Sequence, residues 1–151
     1  MQSAVPNGTG SMAAILGLDD DLIIEKCLDA SVKGVVEAVN FNSPGQVVIA
    51  GEKNAVAHAC ELMKKAGAKR ALVLPVSVPS HCSLMKDAAN EFKNLVDSIE
   101  FRMSDVKVIH NVDADYSNTI EEIKSKLVEQ LYRPVLWTSS VLKMKETGVE
   151  K

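Results

Sequence analysis

Short apolar runs and amphipathic stripes alternate over the first eighty residues, and from Leu84 onward the pattern changes scale. Behind a glycine-rich entry at residues 8–10, the run MAAILG at 12–17 predicts a short buried strand. Asp19, Asp20 and Asp21 then offer an N-cap and first-turn negative charge to a helix whose apolar stripe is Ile23, Ile24, Cys27 and Leu28. Two β-rich runs, 35–40 and 46–50, flank FNSPG, a turn-forming string, and predict an antiparallel hairpin. A second helix follows with Val56, Ala59, Cys60 and Met63 inward, Lys64 and Lys65 in its last turn, and Gly67 where a C-terminal cap belongs. Residues 71–76 read as another strand.

Strand, helix, strand, strand, helix, strand is the split βαβ order of a ferredoxin-like unit, here assigned to residues 8–77. Beyond it, Leu84, Met85, Ala88, Ala89, Phe92, Leu95, Val96 and Ile99 predict one long amphipathic helix. Residues 106–112 read as a strand. A helix over about 119–130 carries Ile120, Ile123, Leu127 and Val128, and a last helix starting at Pro134 carries Trp137, Val141 and Met144. Three helices and one strand supply too little sheet to cover those faces. The tail therefore reads as an incomplete part, 78–151 together with 1–7, of a larger α/β enzyme cut before residue 1 and after residue 151.

Composition narrows the function classes. A net charge of −3 and a pI near 5.6 oppose binding to nucleic acid or an anionic membrane, both of which need a field of Lys and Arg. Phe41 is the one aromatic in the ferredoxin-like unit, too few to stack bases on its sheet. Cys27, Cys60 and Cys82 are odd in number and widely spaced, which fits free thiols in a reducing cytoplasm. No signal peptide is evident, and no run approaches the roughly 20 apolar residues of a membrane span.

Of the three histidines, His58 lies mid-helix and His110 follows a strand core. His81 sits in a loop between a strand and a helix, where scaffolds display reactive side chains, and pattern alone leaves it open between catalysis and a plain loop residue. Cys82 is adjacent in sequence, and adjacent side chains point apart, which argues against a Cys–His pair. His58 and Cys60 fall roughly 200° apart around a helix, so no metal site is expected. Gly8, Gly10 and Ala13 formally fit a dinucleotide fingerprint, but they lead into a strand where the fingerprint needs a helix. No serine has glycine at both minus two and plus two, so a nucleophile elbow is lacking in these 151 residues.

Five blocks, AVPNGTGSMAAILGL, AVNFNSPGQVVIAG, AGAKRALVLPVSVPSHCSLM, HNVDA and QLYRPVLWTSSV, together resemble the malonyl-CoA:acyl carrier protein transacylases of bacterial fatty acid synthesis, in order and at nearly the family spacing. The resemblance implies a ferredoxin-like small subdomain inserted in an α/β-hydrolase-like large subdomain, with the active site in the cleft between them. It puts the catalytic histidine on His81 and, on Gln130, the glutamine whose carbonyl orients it. Asn40 and Asn42 match cleft-facing polar residues, although turn formation explains asparagine there equally well. Lys69 and Arg70 match basic positions suited to coenzyme A phosphates or an acidic carrier protein. Ser80 stands in the VPSH form common in the discrete bacterial enzymes.

The implied reaction moves malonyl from malonyl-CoA, by way of a serine outside these residues, to the phosphopantetheine thiol of acyl carrier protein, with no other cofactor. This chain alone would then be inactive. The alternative is a non-catalytic ferredoxin-like module that docks a carrier protein or regulatory partner.

Overall fold

A computed structural model of the chain describes residues 8–149. Its first part runs β1 (Gly10–Leu16), α1 (Asp20–Ala30), β2 (Val36–Ser43), β3 (Gln46–Glu52), α2 (Lys53–Lys65) and β4 (Arg70–Val73), the element order read from the sequence. These strands form one antiparallel sheet in the order β2-β3-β1-β4. The second part holds α3 (Lys86–Ser98), a two-stranded ladder of β5 (Ile109–His110) and β6 (Asp115–Tyr116), α4 (Ile120–Glu129) and α5 (Trp137–Glu146). The assignment made for residues 1–7 and 150–151 lies outside the described residues.

The two faces of the sheet are covered differently, and this places the His81 segment. On one face Ala13, Ile15, Val36, Ala38, Val47, Ile49 and Ala71 pack against Ile23 and Cys27 of α1 and Val56, Ala59, Cys60 and Met63 of α2. The alternation of strand side chains sends Val48 and Ala50 to the other face, where Leu74, Cys82 and Leu84 cover them. The chain from β4 to α3 thus lies across the back of the sheet, and Cys82, fully buried there, anchors the residue next to it, His81.

Helix α2 ends as its sequence predicts. Gly67 adopts φ +101°, and the Gly67 and Ala68 N–H groups donate to Lys64 and Met63 carbonyls at 3.1 and 2.9 Å, a Schellman closure. Other expectations need correction. In α1, Ile24 and Leu28 are exposed, because the inward line is Ile23, Cys27 and Ala30, and the Asp19 side chain makes no cap bond. The hairpin strands run on through Phe41, Asn42 and Ser43, so the turn shrinks to Pro44 and Gly45. β4 stops at Val73, since after Leu74 donates to Met12 O the chain leaves to cross the back of the sheet.

The tail departs furthest. The strand expected over 106–112 reduces to Ile109 and His110, with Val106 and Val108 exposed. A strand needs a neighbour with free backbone groups, and the two residues of β6 are its ladder partner. On α3, Ala88, Ala89 and Val96 are buried while Leu95, and Ile99 just past the helix end, are exposed. The helix expected from Pro134 starts at Trp137, because Val135 is held extended: its N–H donates to Val39 O at 2.8 Å and its carbonyl accepts from Phe41 N–H at 3.0 Å. Residue 135 thereby adds a single parallel bridge outside β2, at Asn40. Among the described residues no helix is long and apolar enough to cross a membrane.

Candidate active site

The turn that carries His81 is tied down at each of its positions. Ser80 N–H donates to Val78 O at 2.9 Å, His81 N–H to Leu131 O at 3.1 Å, and the Cys82 thiol to Pro79 O at 3.1 Å. His81 itself sits at φ 67°, a left-handed conformation that costs a non-glycine residue on the order of 1–3 kcal/mol and persists only where the surroundings over-determine it. Strain of this kind gathers at sites of function.

The His81 ring is half-buried, and its Nδ1 lies 2.6 Å from the main-chain carbonyl oxygen of Gln130. A carbonyl can only accept, so Nδ1 carries the hydrogen and, in the neutral ring, Nε2 presents a bare lone pair. Gln130 and Leu131 follow directly on α4, where carbonyls lack helical partners and the dipole is negative. It is the main chain of Gln130 that faces the ring; its side-chain amide nitrogen reaches Arg133 O at 3.5 Å.

Cys82 is no partner for this base. Burial pushes its thiol up to about 11, and it donates to a carbonyl, so it stays protonated near neutrality. Cys27 is pushed up to about 12, chiefly by burial, and Cys60 is raised for the same reason. All three thiols are free and buried. His58 lies on α2, 3.9 Å from Glu61, and His110 is in the β5–β6 ladder, lowered by burial and by Lys126. Among the described residues no group of three or more His, Cys, Asp or Glu converges as metal ligands do.

The other expected site residues divide. Asn40 pairs across the ladder with Val48, which belongs to the cluster around Cys82, so Asn40 shares the His81 face of the sheet. A β-bulge between Ala38 and Asn40 causes this: without it, alternation from Ala38 would turn Asn40 toward the helices. Asn42 is the unpaired residue of a second bulge, between Phe41 and Ser43. Ser80 is half-buried beside His81. Lys69 and Arg70 are exposed at the far end of the sheet. Arg70 pairs with Leu16, whereas the His81 turn meets β1 at Gly10, roughly 20 Å away along the strand.

One residue of the turn's support escaped the sequence reading. The Glu37 carboxylate on β2 accepts from Ser83 N–H at 3.2 Å and from the Ser83 hydroxyl. Its signal was a lone charge inside the apolar run VVEAV.

Comparison with known proteins bears on this geometry. The malonyl CoA-acyl carrier protein transacylase of Haemophilus influenzae is 54% identical over 149 residues, covering 99% of this chain and 48% of the relative. That of Escherichia coli strain K12 is 55% identical over 150 residues, again 99% and 48%. Among solved structures, an acyl carrier protein S-malonyltransferase from Vibrio cholerae superposes with a TM-score of 0.97 at 55% identity, over 99% of this chain and 49% of that one. A malonyl-transacylase in complex with its type II polyketide acyl carrier protein superposes with a TM-score of 0.96 at 51% identity, over 98% and 48%. No protein-family model matches. The chain thus has the α/β fold of a contiguous stretch of these enzymes and spans about half the length of the curated relatives it matches.

Proposed function

We propose that this chain supplies the histidine half of the active site of a malonyl-CoA:acyl carrier protein transacylase. The observation that carries the reading is the 2.6 Å contact from His81 Nδ1 to Gln130 O, made by a histidine held in a left-handed turn. In the finer reading, residues 8–77 are a ferredoxin-like small subdomain and 78–151, with 1–7, are part of an α/β-hydrolase-like large one. The relatives' names supply the substrates, malonyl-CoA and acyl carrier protein; a cytoplasmic setting in fatty acid synthesis and the need for no further cofactor are parts of the proposal itself.

The chemistry follows from which nitrogen is bare. A serine hydroxyl attacks a thioester only as its proton leaves, and Nε2 is the acceptor. The serine oxygen bonds to the malonyl carbonyl carbon, the carbon–sulfur bond breaks, and the departing coenzyme A thiolate takes the proton back from the imidazolium. In the second half the pantetheine thiol gives its proton to Nε2, its sulfur attacks the acyl carbon, and the serine oxygen is reprotonated. Through both halves the Gln130 carbonyl holds the tautomer. Asn40, on the same sheet face, is a candidate contact for the acyl group, with Asn42 two residues further along β2 and Ser80 next to His81 in the chain. Lys69 and Arg70, at the other end of the sheet, are reserved for anionic groups distant from the acyl carbon.

No serine in these 151 residues has the Gly-x-Ser-x-Gly setting, so the chain alone is expected to form no malonyl-serine. The decisive test is a chimera in which this chain replaces the matching half of the Escherichia coli relative. Malonyl transfer to acyl carrier protein should be restored, and His81→Ala should lower kcat by at least about a thousandfold, the scale of losing a triad member. A folded chimera whose activity is indifferent to His81→Ala overturns the reading and leaves a docking module.

A further inference from the structure

The bonds that hold His81 come from two directions. From α4, Gln130 O and Leu131 O take the ring and the main-chain N–H. These bonds alone leave the downstream side of the turn free. It is closed by Glu37, on the edge strand β2, whose two carboxylate oxygens engage Ser83, one on the N–H and the other on the hydroxyl. Ser83 begins the 3-10 turn Ser83–Met85 that runs directly into α3, so its N–H is among the groups that a helix start leaves without a backbone partner. A carboxylate there satisfies the donor and meets the positive end of the helix. Residue 37 is forty-six positions away in sequence and is held by the sheet, because Val36, Glu37 and Ala38 pair in register with Gly51, Ala50 and Ile49 of β3.

We propose that Glu37 is a positioning residue for His81. Its grip on Ser83 fixes the distance from β2 to the start of α3, and with Cys82 buried between the two, His81 has one conformation left: φ 67° with Nδ1 on Gln130 O. The Glu37 carboxylate bonds to Ser83 rather than to the ring, so it acts through the turn. The proposal rests on reading His81 as a base, but the structural consequence stands apart from that reading: without Glu37, Nδ1 loses its fixed acceptor and the neutral ring samples both tautomers.

The test is long-range proton–nitrogen NMR of the 151-residue chain labelled with 15N-histidine, at a pH where the rings are neutral. In the wild-type chain the His81 Nε2 resonance should lie at the unprotonated extreme and Nδ1 at the protonated one. In Glu37→Ala both should move toward the tautomer average, while His58 and His110 stay put. Glu37→Gln, which keeps one acceptor oxygen, should move them less. Ser83→Ala, which loses the hydroxyl but keeps the N–H, provides an independent arm and decides the matter if Glu37→Ala does not fold. Unchanged His81 resonances in a folded Glu37→Ala or Ser83→Ala chain overturn the proposal, as do equal shifts at all three histidines, which mark general loosening. A wild-type ring that already averages its tautomers refutes the contact to Gln130, and with it the base reading, rather than the role of Glu37 alone.

Discussion

Gly10 begins β1 at the point where the strand passes under the His81 turn. Its φ is not left-handed; what it needs is space. A Cβ built there would lie 2.5 Å from Pro79 Cδ and 2.6 Å from Ser77 O, about 0.9 and 0.8 Å inside the 3.4 Å at which ordinary contact begins. One of the two obstacles is backbone and the other is a proline ring, so neither can swing aside as a long side chain would. Gly10→Ala must therefore move either the first residue of β1, which is held to Glu52 on β3, or the turn itself. Inserting a methyl into a closed contact costs about 1–3 kcal/mol, and for a domain of this size each kcal/mol lowers Tm by about 2–4 °C. Since Pro79 is two residues from His81, a displacement near 1 Å passes into the ring, and misplacements of that size at a reacting group cost on the order of a hundredfold in rate. Thermal melts of the chain measure the first effect, and kcat of the Escherichia coli chimera measures the second. If Gly10→Ala leaves Tm, kcat and the His81 ring resonances unchanged, the packing argument for this glycine is wrong.

Gly67 supplies a contrast, because nothing lies within 4 Å of a Cβ there and φ is +101°. Gly67→Ala should therefore cost only the backbone term, about 1–2 kcal/mol, read from urea unfolding without any change at His81. For His110 the sign of the pH dependence follows from its lowered value: the unfolded ring binds a proton more readily than the folded one, so stability falls as pH drops below about 6.5 and levels off beneath the folded value. Denaturant titrations from pH 8 to 5 should show a shallower slope in His110→Asn than in the wild-type chain. With Cys27 and Cys82 pushed up to about 12 and about 11 and all three thiols buried, alkylation at pH 8 should be slow in the folded chain and fast in urea. Rapid native labelling of Cys82 would contradict the geometry of the turn.

How much of this was legible in the chain differs between its halves. Local rules carried the first half: the inward line of α2 and the Gly67 cap depend on neighbours within a few residues, and the order of six elements followed from them. His81 was marked by its loop position, and its role by likeness over five blocks. Stripes read from apolar spacing alone placed Ile24, Leu28, Leu95 and Ile99 inward, although the structure exposes them. Spacing records which residues could be buried, and burial needs a surface to meet.

What only the tertiary structure decided are the contacts between distant segments. A bulge at Val39 turned Asn40 to the His81 face, and register of that kind is set by the partner strand. Val135 became extended, and Pro134 lost its place at a helix start, because the open edge of β2 offered two hydrogen bonds. The predicted strand at 106–112 shrank for want of such an edge. Gln130 O reached Nδ1 across forty-nine residues, and Glu37 reached Ser83 across forty-six. The sequence by itself determined that a histidine would stand in a loop between a strand and a helix. Which nitrogen of that histidine is free to take a proton was decided by a main-chain carbonyl, a group that every residue carries and that no side-chain pattern can single out.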